Sequence, residues 1–429
     1  MARDSPEFST AEKASAVRAR LAAVRERLTR VFKAFTYRDF RLLWAGAFTS
    51  SCGTWMQTVA QSWLLLTISG NPQYLAWAEG LQQAPFLVFS LVGGVLADRM
   101  DRRRILLLSQ VVQLSSAFLL AGLVFTDRIA VWIILVLAVV VGFAQSFGGP
   151  AYQALVPTLV DKEDLPNAVA LNSIQFNLAR VVGPVLAGAA FATLGAAACF
   201  GLNGLSFFAV IVAPLALKGG APTGAASGSV LENLKEGLMA AHGDRALRGL
   251  IGLSFIGSLC AFPLLTFLPV FAKDVFRGDV KVFATFLAVF GLGAVCGAIG
   301  TAGIGHVKRR GAVAVSMQVT FGALMIGFAL SRTKWMSFAL LFLAGAALMI
   351  VFAMFMTLVQ QNVDDAMRGR VVSVYSLAFR GAMPLGNVVA GFLVALMPTP
   401  WVLAGNGTLL VLVGLTVLLR NNPQGVASL

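Results

Sequence analysis

Apolar runs of about 20 residues recur along the whole chain, beginning near residues 40, 74, 104, 129, 167, 198, 248, 279, 312, 336, 370 and 401. As an α-helix rising about 1.5 Å per residue, each run crosses a hydrocarbon core roughly 30 Å thick. The pattern predicts an all-α polytopic membrane protein with twelve transmembrane helices and both termini on one side. The longest polar interruptions set its organisation. They mark a basic N-terminal segment (1–37), a first six-helix bundle (38–217), a linker (218–247), a second six-helix bundle (248–420) and a short tail (421–429). In the first segment Val17, Leu21, Val24, Leu28 and Val31 fall at helical spacing among Arg18, Arg20, Arg25, Arg27 and Arg30. Such a helix either lies on an anionic leaflet or only sets topology. The linker opens Gly- and Ser-rich, which makes it flexible, and continues as an amphipathic stretch with Glu232, Lys235 and Glu236.

Composition sharpens this reading. With 58% hydrophobic and 12% charged residues, the chain is too apolar for a soluble protein. In a soluble chain a net charge of +14 would point to nucleic acid, but here Lys and Arg gather in segments on one side of the spans. Arginine and lysine are retained on the cytoplasmic side, so both termini are expected there and no nucleic-acid partner is. Trp63, Trp77, Trp132, Trp335 and Trp401 fall near the outer ends of the spans, as an interfacial belt requires, and Trp44 near an inner end. Cys52, Cys199, Cys260 and Cys296 lie inside spans, and the two histidines, His242 and His306, lie in loops. Neither disulfides nor a metal site is expected. The first apolar run, near Phe40, is a full span and not a cleavable signal. No Gly-x-x-x-x-Gly-Lys-Ser/Thr loop occurs, and no span offers His or paired carboxylates. An ATP-driven pump and an enzyme are therefore disfavoured, with no catalytic residue and no cofactor to assign.

The informative positions are the polar ones inside the spans. Thr54, Gln57, Thr58 and Gln61 share one face of the first helix; Ser173, Asn177, Arg180 and Pro184 share one face of the fifth; Ser376, Arg380, Met383 and Asn387 share one face of the eleventh. Inserting an ionised side chain at the centre of a span costs about 2.5–3.5 kcal/mol, so a charge there is by default a functional candidate. Arg180, Arg380, Asn177, Gln57, Gln61 and Asn387 are expected to line a substrate pathway, structural pairing being the alternative. Glu79 is the one carboxylate placed clearly inside a span. It is the candidate for proton coupling, with pairing to an arginine or snorkelling to the interface as competing readings. Two buried cations against one anion favour an anionic substrate.

A loop motif adds a family resemblance. Gly94, Asp98, Arg99, Arg102 and Arg103 follow the second span in the pattern Gly-x-x-x-Asp-Arg-x-x-Arg-Arg, with Asp101 where glycine is usual. This resembles the signature loop of the major facilitator superfamily. Gly183, Pro184 and Gly188 resemble the Gly-Pro-x-x-Gly-Gly element of its antiporters, with Ala187 in place of one glycine. Leu155-Val156-Pro157, Leu165-Pro166-Asn167-Ala168, Arg368-Gly369-Arg370-Val371 and Met383-Pro384-Leu385-Gly386 look like the bacterial branch of enterobactin exporters and macrolide-efflux permeases. Gly94 with Arg102-Arg103-Arg104 recurs as Gly300 with Lys308-Arg309-Arg310, and Gly183 to Gly188 as Gly386 to Gly391, at nearly constant spacing, which argues for duplication. The resemblance implies two pseudo-symmetric six-helix bundles around a central cavity, alternating access, and export across the bacterial inner membrane driven by the proton gradient. The arginine that proton-coupled relatives carry in the fourth helix is absent here.

Together these features read as a secondary exporter of amphipathic, anionic small molecules, siderophore-like or drug-like, acting as a monomer in the bilayer. A lysophospholipid translocator and a non-transporting receptor are the alternatives. Asp98, at the inner end of the second span, is placed to meet the positive N-terminus of the eleventh helix and Arg368 or Arg370 when the cytoplasmic side closes. Asp98→Asn should therefore shift the protein toward inward-open states. Accessibility of single cysteines in the inner half of the pathway reads this out, and labelling rates equal to the parent's would reduce the loop to a topological signal.

Overall fold

The computed structural model describes residues 32–99, 101–216, 230–304 and 309–420, apart from the side chains of 90–99 and of a few positions near other helix ends. The amphipathic pattern of Val17 to Val31, the tail, His306 and the side chains of Asp98 and Arg99 lie outside the described residues. Twelve α-helices follow one another: α1 (Arg38–Ser69), α2 (Gln73–Arg99), α3 (Arg102–Phe125), α4 (Val131–Leu155), α5 (Leu165–Ala216), α6 (Val230–Gly243), α7 (Arg245–Val270), α8 (Val280–Ile304), α9 (Arg310–Leu330), α10 (Lys334–Gln361), α11 (Asp365–Leu396) and α12 (Thr399–Arg420). Among the described residues, nine helices are long and apolar enough to cross a membrane. The first helix, α1, is not one of them, because Thr54, Gln57, Thr58 and Gln61 dilute its apolar face.

The fifth and sixth apolar runs are two helices, here labelled together as α5, that meet without a loop: the chain turns at one residue, Gly195, with φ 81° and ψ 178°, close to the expected start near residue 198. Only glycine adopts that backbone freely, so no loop is needed. Elsewhere the ends follow local chemistry. Asp101 Oδ1 accepts a hydrogen bond from the Arg103 amide at 2.9 Å and caps α3. Asp244 Oδ1 accepts from the Ala246 and Leu247 amides at 2.7 and 3.0 Å and caps α7. Such caps contribute about 1 kcal/mol each. The aspartate that departs from the usual loop glycine thus starts a helix. Gly70, in the left-handed region at φ 62°, ends α1.

Within each half, glycine sets how closely the helices approach. A Cβ at Gly183 of α5 would sit 2.5 Å from Trp55 Cβ and 2.8 Å from the Cys52 carbonyl oxygen of α1. In the second half, a Cβ at Gly386 of α11 would overlap the Leu259 carbonyl oxygen of α7. The same two helices also face across to the other half: Gly188 lies against Ala284 of α8, and Gly391 against Ala76 of α2. Two seams therefore join the halves, α5 with α8 and α2 with α11.

We call outer the ends where Trp132, Trp335 and Trp401 stand exposed. There one apolar core runs through both halves, joining Val59, Leu65 and Phe200 to Phe267, Phe283 and Phe286. At the inner ends the core divides, with Phe40, Leu43, Ile105 and Leu155 in one cluster and Leu250, Phe355, Val359 and Val371 in another. The molecule is thus fused at its outer end and parted, among the described residues, at its inner end. Trp63 lies at the outer end as expected and stacks there on Phe283 across the halves, with ring centroids 6.5 Å apart. The amphipathic helix α6 packs on the start of α11, where Glu236 pairs with Arg370 and Gly237 leaves room for the Arg370 carbonyl.

A polar tie fixes the chain ahead of α1. The short turn Lys33–Thr36 places the Lys33 ammonium 2.8 Å from the buried Asp164 carboxylate, and the Ala34 amide donates to Asn167 Oδ1 at 2.9 Å. The Tyr37 hydroxyl donates to Asp161 at 2.8 Å and to Asp164 at 2.9 Å. The hydrogen bond from Lys33 holds the Asp164 carboxyl below its ordinary range, and the same contact raises Lys33. Bonding first to Asp161 and then to Asp164 pushes the Tyr37 phenol up to about 12. A depressed carboxyl stabilises above its ordinary pKa, near 4, and loses that contribution as pH falls. The raised ammonium and phenol stabilise below their ordinary values and lose it only as pH rises through the raised ones. The tie should hold evenly from about pH 5 to about pH 9 and weaken only as pH falls below the ordinary carboxyl value near 4 and through the depressed one. Hydrogen exchange at the Ala34 amide, corrected for its intrinsic pH dependence, measures this. Protection in Asp164→Asn equal to the parent's at neutral pH would show that the carboxylate is not what holds the turn.

Candidate functional site

Arg180 and Arg380 occupy the two seams, one in each. Arg180, on α5, is sandwiched between aromatic rings of different halves, with Cζ 5.5 Å from the ring centroid of Trp55 on α1 and 5.3 Å from that of Phe290 on α8. Arg380, on α11, lies 4.7 Å over Phe86 of α2. Among the described ion pairs, none joins a carboxylate to either arginine. A planar guanidinium is weakly hydrated, stacks on aromatic faces and does not lose its proton in proteins, which suits it to such a place better than lysine. A ring within 6 Å stabilises the cation by about 0.5–2 kcal/mol but leaves the in-plane N–H groups for an acceptor. The geometry therefore presents two cations whose faces are covered and whose edges can still bind an oxyanion.

Small residues make this possible. Gly291 of α8 packs on the Arg180 carbonyl, and Gly381, next to Arg380, packs on Leu87 of α2. Asn177 does not join its arginine: its side-chain amide donates to the Ser173 carbonyl one turn back, at 2.9 Å. Asn387 is 2% exposed and accepts from the Thr266 hydroxyl at 3.0 Å, which pins α11 to α7. Pro184 is buried beside Gly183 on the α1-facing side of α5.

Gln57 and Gln61 lie in a different place. With Glu79 they line a narrow cavity inside the first half, walled by α1 to α5. Gln82, Gln113, Gln145 and Asn203, with Thr54, Thr58 and Ser62, complete its polar lining, and the four amides among them come from α2 to α5. The sequence reading did not bring these four together, nor the rings of Trp55, Phe86 and Phe290. Their signal was faint. Gln113, Gln145 and Asn203 are amides set in otherwise apolar runs, each needing a partner inside the protein.

The whole-chain architecture and these seams can be compared with known proteins. A family model described as transmembrane secretion effector matches residues 29–428. The chain belongs to this family, within the major facilitator superfamily. It is 24% identical over 360 residues to the staphyloferrin A transporter of Staphylococcus aureus, covering 81% of this chain and 88% of that protein. It is 26% identical to the multidrug efflux pump Tap of Mycolicibacterium fortuitum, covering 82% and 88%. To the enterobactin exporter EntS of Citrobacter koseri it is 26% identical over 391 residues, covering 90% and 92%. The fold is similar to that of the nucleoside transporter NupG, at a TM-score of 0.69 and 15% identity, over 89% of this chain and 98% of that one. The chain is a multi-pass protein of the bacterial inner membrane, a transporter and not an enzyme.

The family's loop motif sits at the inner end. Arg102 donates to the Ala154 carbonyl at 3.2 Å, tying the start of α3 to the end of α4, and the Arg103 amide is held by the Asp101 cap. Arg368 pairs with Asp365 on its own helix at 2.5 Å and donates to the Gln360 carbonyl at 3.2 Å, while Arg370 pairs with Glu236 of α6. The partners expected for Asp98 are thus engaged within the second half and the linker helix.

The cation–ring contact at the α2–α11 seam can be weighed by a double-mutant cycle. Phe86→Ala and Arg380→Gln, alone and combined, should show a coupling of about 0.5–2 kcal/mol in detergent unfolding. Strict additivity would mean that ring and guanidinium do not interact.

Proposed function

We propose that this protein exports amphipathic small molecules carrying an acidic group, siderophore-like or drug-like, by alternating access as a monomer in exchange for protons. The observation that carries the reading is the placement of one arginine in each seam, its face on an aromatic ring and with no carboxylate partner among the described ion pairs. A substrate with an acidic head and an apolar or aromatic body matches both parts of such a site. Relatives named for siderophore and multidrug transport support the direction and the substrate class. Because the halves meet along α5–α8 and α2–α11, a molecule that binds both arginines bears on both contacts that opening and closing must rearrange.

The test is transport in everted membrane vesicles with an acidic lumen and a pH-sensitive dye, using siderophores, drugs and lysolipids of graded charge. Acidic amphipaths should release the proton gradient in the parent protein. Arg180→Ala and Arg380→Ala should each abolish that release while the protein stays folded in the membrane, and Arg→Lys, which keeps the charge without the flat face, should recover only part. Undiminished flux in both alanine variants would remove the anionic pathway. Substrate flux without proton movement would leave an exporter of another coupling.

A further inference from the structure

We propose that the second half encloses a buried water site between α7 and α9, centred on Gln318 and Ser258, where the first half makes direct amide contacts. The duplicated sequence sets up the need for it. In the first half Gln113 donates to the Ser109 hydroxyl at 3.1 Å and accepts from the Gln145 amide at 3.2 Å. Counted at the spacing that carries Gln113 onto Gln318, Ser109 falls on Ala314 and Gln145 on Ile350. The second half thus has the amide, with apolar residues at the positions of both its partners.

The consequence is visible in the packing. Gln318 is 1% exposed, and among the described residues neither its side-chain oxygen nor its nitrogen finds a hydrogen-bond partner. Ser258 of α7 is fully buried, and its hydroxyl lacks a partner as well. Other hydroxyls in the spans turn back on their own helix. Ser116 and Ser146 donate to the carbonyl four residues earlier at 2.8 Å, and Thr58 does so at 3.0 Å. Ser258 forgoes that bond and keeps its hydroxyl available to another acceptor. A buried amide or hydroxyl without any partner is costly, and the great majority in folded proteins have one, supplied by protein or by ordered water.

Room for a bridging molecule lies between the two helices. A Cβ built at Gly257, next to Ser258, meets one atom within 4 Å, the Gln318 side-chain nitrogen at 3.9 Å. Every other buried glycine whose surroundings are described would meet an atom within 3.2 Å. At those positions glycine brings helices into contact; at Gly257 it leaves buried space between them. A water molecule resting on Gly257 stands farther from Cα than a bonded carbon does, and so comes within hydrogen-bonding reach of the amide.

The chemistry of these groups names the occupant. Gln318 offers N–H donors and an oxygen acceptor, and the Ser258 hydroxyl acts as either. None of them carries net charge. A small neutral molecule that donates and accepts at once satisfies them, and an ion does not. Ser254, one turn before Ser258, stands against the Tyr375 hydroxyl of α11, so the site adjoins the helix that carries Arg380. A water bridge supplies nearly the same hydrogen bonding as a direct contact and leaves α7 and α9 a joint whose geometry can adjust.

Filling the space tests this, because a wet and a dry site respond with opposite sign. Purified full-length protein in lipid nanodiscs is compared by thermal unfolding as parent, Gly257→Ala, Gln318→Met and the double variant. Alanine is favoured over glycine inside a helix, so a methyl group entering a dry space raises the midpoint. Displacing a water that Gln318 and Ser258 need should instead lower it in the parent, by roughly 2 °C. In the Gln318→Met background, where the amide is gone, the same substitution should lower it less or raise it. A midpoint raised by Gly257→Ala in the parent overturns the proposal, and so does one lowered equally in both backgrounds, which would report a steric clash. Should a variant fail to fold, the parent decides the matter. A cryo-electron-microscopy map at a resolution that shows ordered waters should carry a peak within hydrogen-bond distance of both the Gln318 amide and the Ser258 hydroxyl, and well-defined side chains with no peak between them would refute the site.

Discussion

Close backbone approach at α5 and α11 is the constraint on which the rest of the structure depends. In a bilayer, lipid tails are as apolar as the helices, so helices associate through packing and polar contacts, and small residues decide how near they come. Gly183 and Gly386 bring α5 onto α1 and α11 onto α7, each against a backbone carbonyl, while Gly188 and Gly391 on the same helices meet the opposite half. Each of these two helices therefore belongs to its own bundle and to a seam at once. A side chain at Gly183, Gly386 or Gly391 would force a choice between the two contacts, while Gly188 is less tight.

The arginines follow from that geometry. A cation at a helix seam needs compensation, and a carboxylate partner would lock the seam with a charge pair that movement must break. Aromatic rings supply a weaker and less directional substitute. Because the face of a ring tolerates lateral displacement of the guanidinium, Arg180 between Trp55 and Phe290 and Arg380 over Phe86 stabilise the fused outer arrangement without fixing it in one register. The undivided outer core and the two separate inner cores show the same partition on a larger scale.

Much of this was legible in the sequence, and the boundary is physical. Hydropathy finds helices because lipid leaves the backbone no other way to satisfy its hydrogen bonds, and glycine-rich elements report close packing wherever they recur. Arg180, Arg380 and Glu79 were visible because a charge inside a span is conspicuous. What periodicity does not carry is partnership. The face of α1 with Gln57 and Gln61 is as compatible with a seam as with the interior of one bundle, and only the packing of five helices sends it to Glu79. Phe86, Phe290 and Trp55 sit among many aromatics in this chain, and nothing in their spacing marks the three that hold cations. The boundary between the fifth and sixth runs was legible, but not that a single glycine, Gly195, makes the turn without a loop.

The duplicated frame also explains why the two halves differ where they do. Both halves keep a buried amide on the third helix of the half and small hydroxyl residues on the first, Gln113 with Thr54 and Gln318 with Ser258. Both keep a seam arginine. A carboxylate in each half would bring a second buried anion needing its own compensation, whereas one carboxylate leaves the surplus cation charge of the seams intact. Placing that acid inside the first bundle, away from the arginines, keeps it from neutralising them.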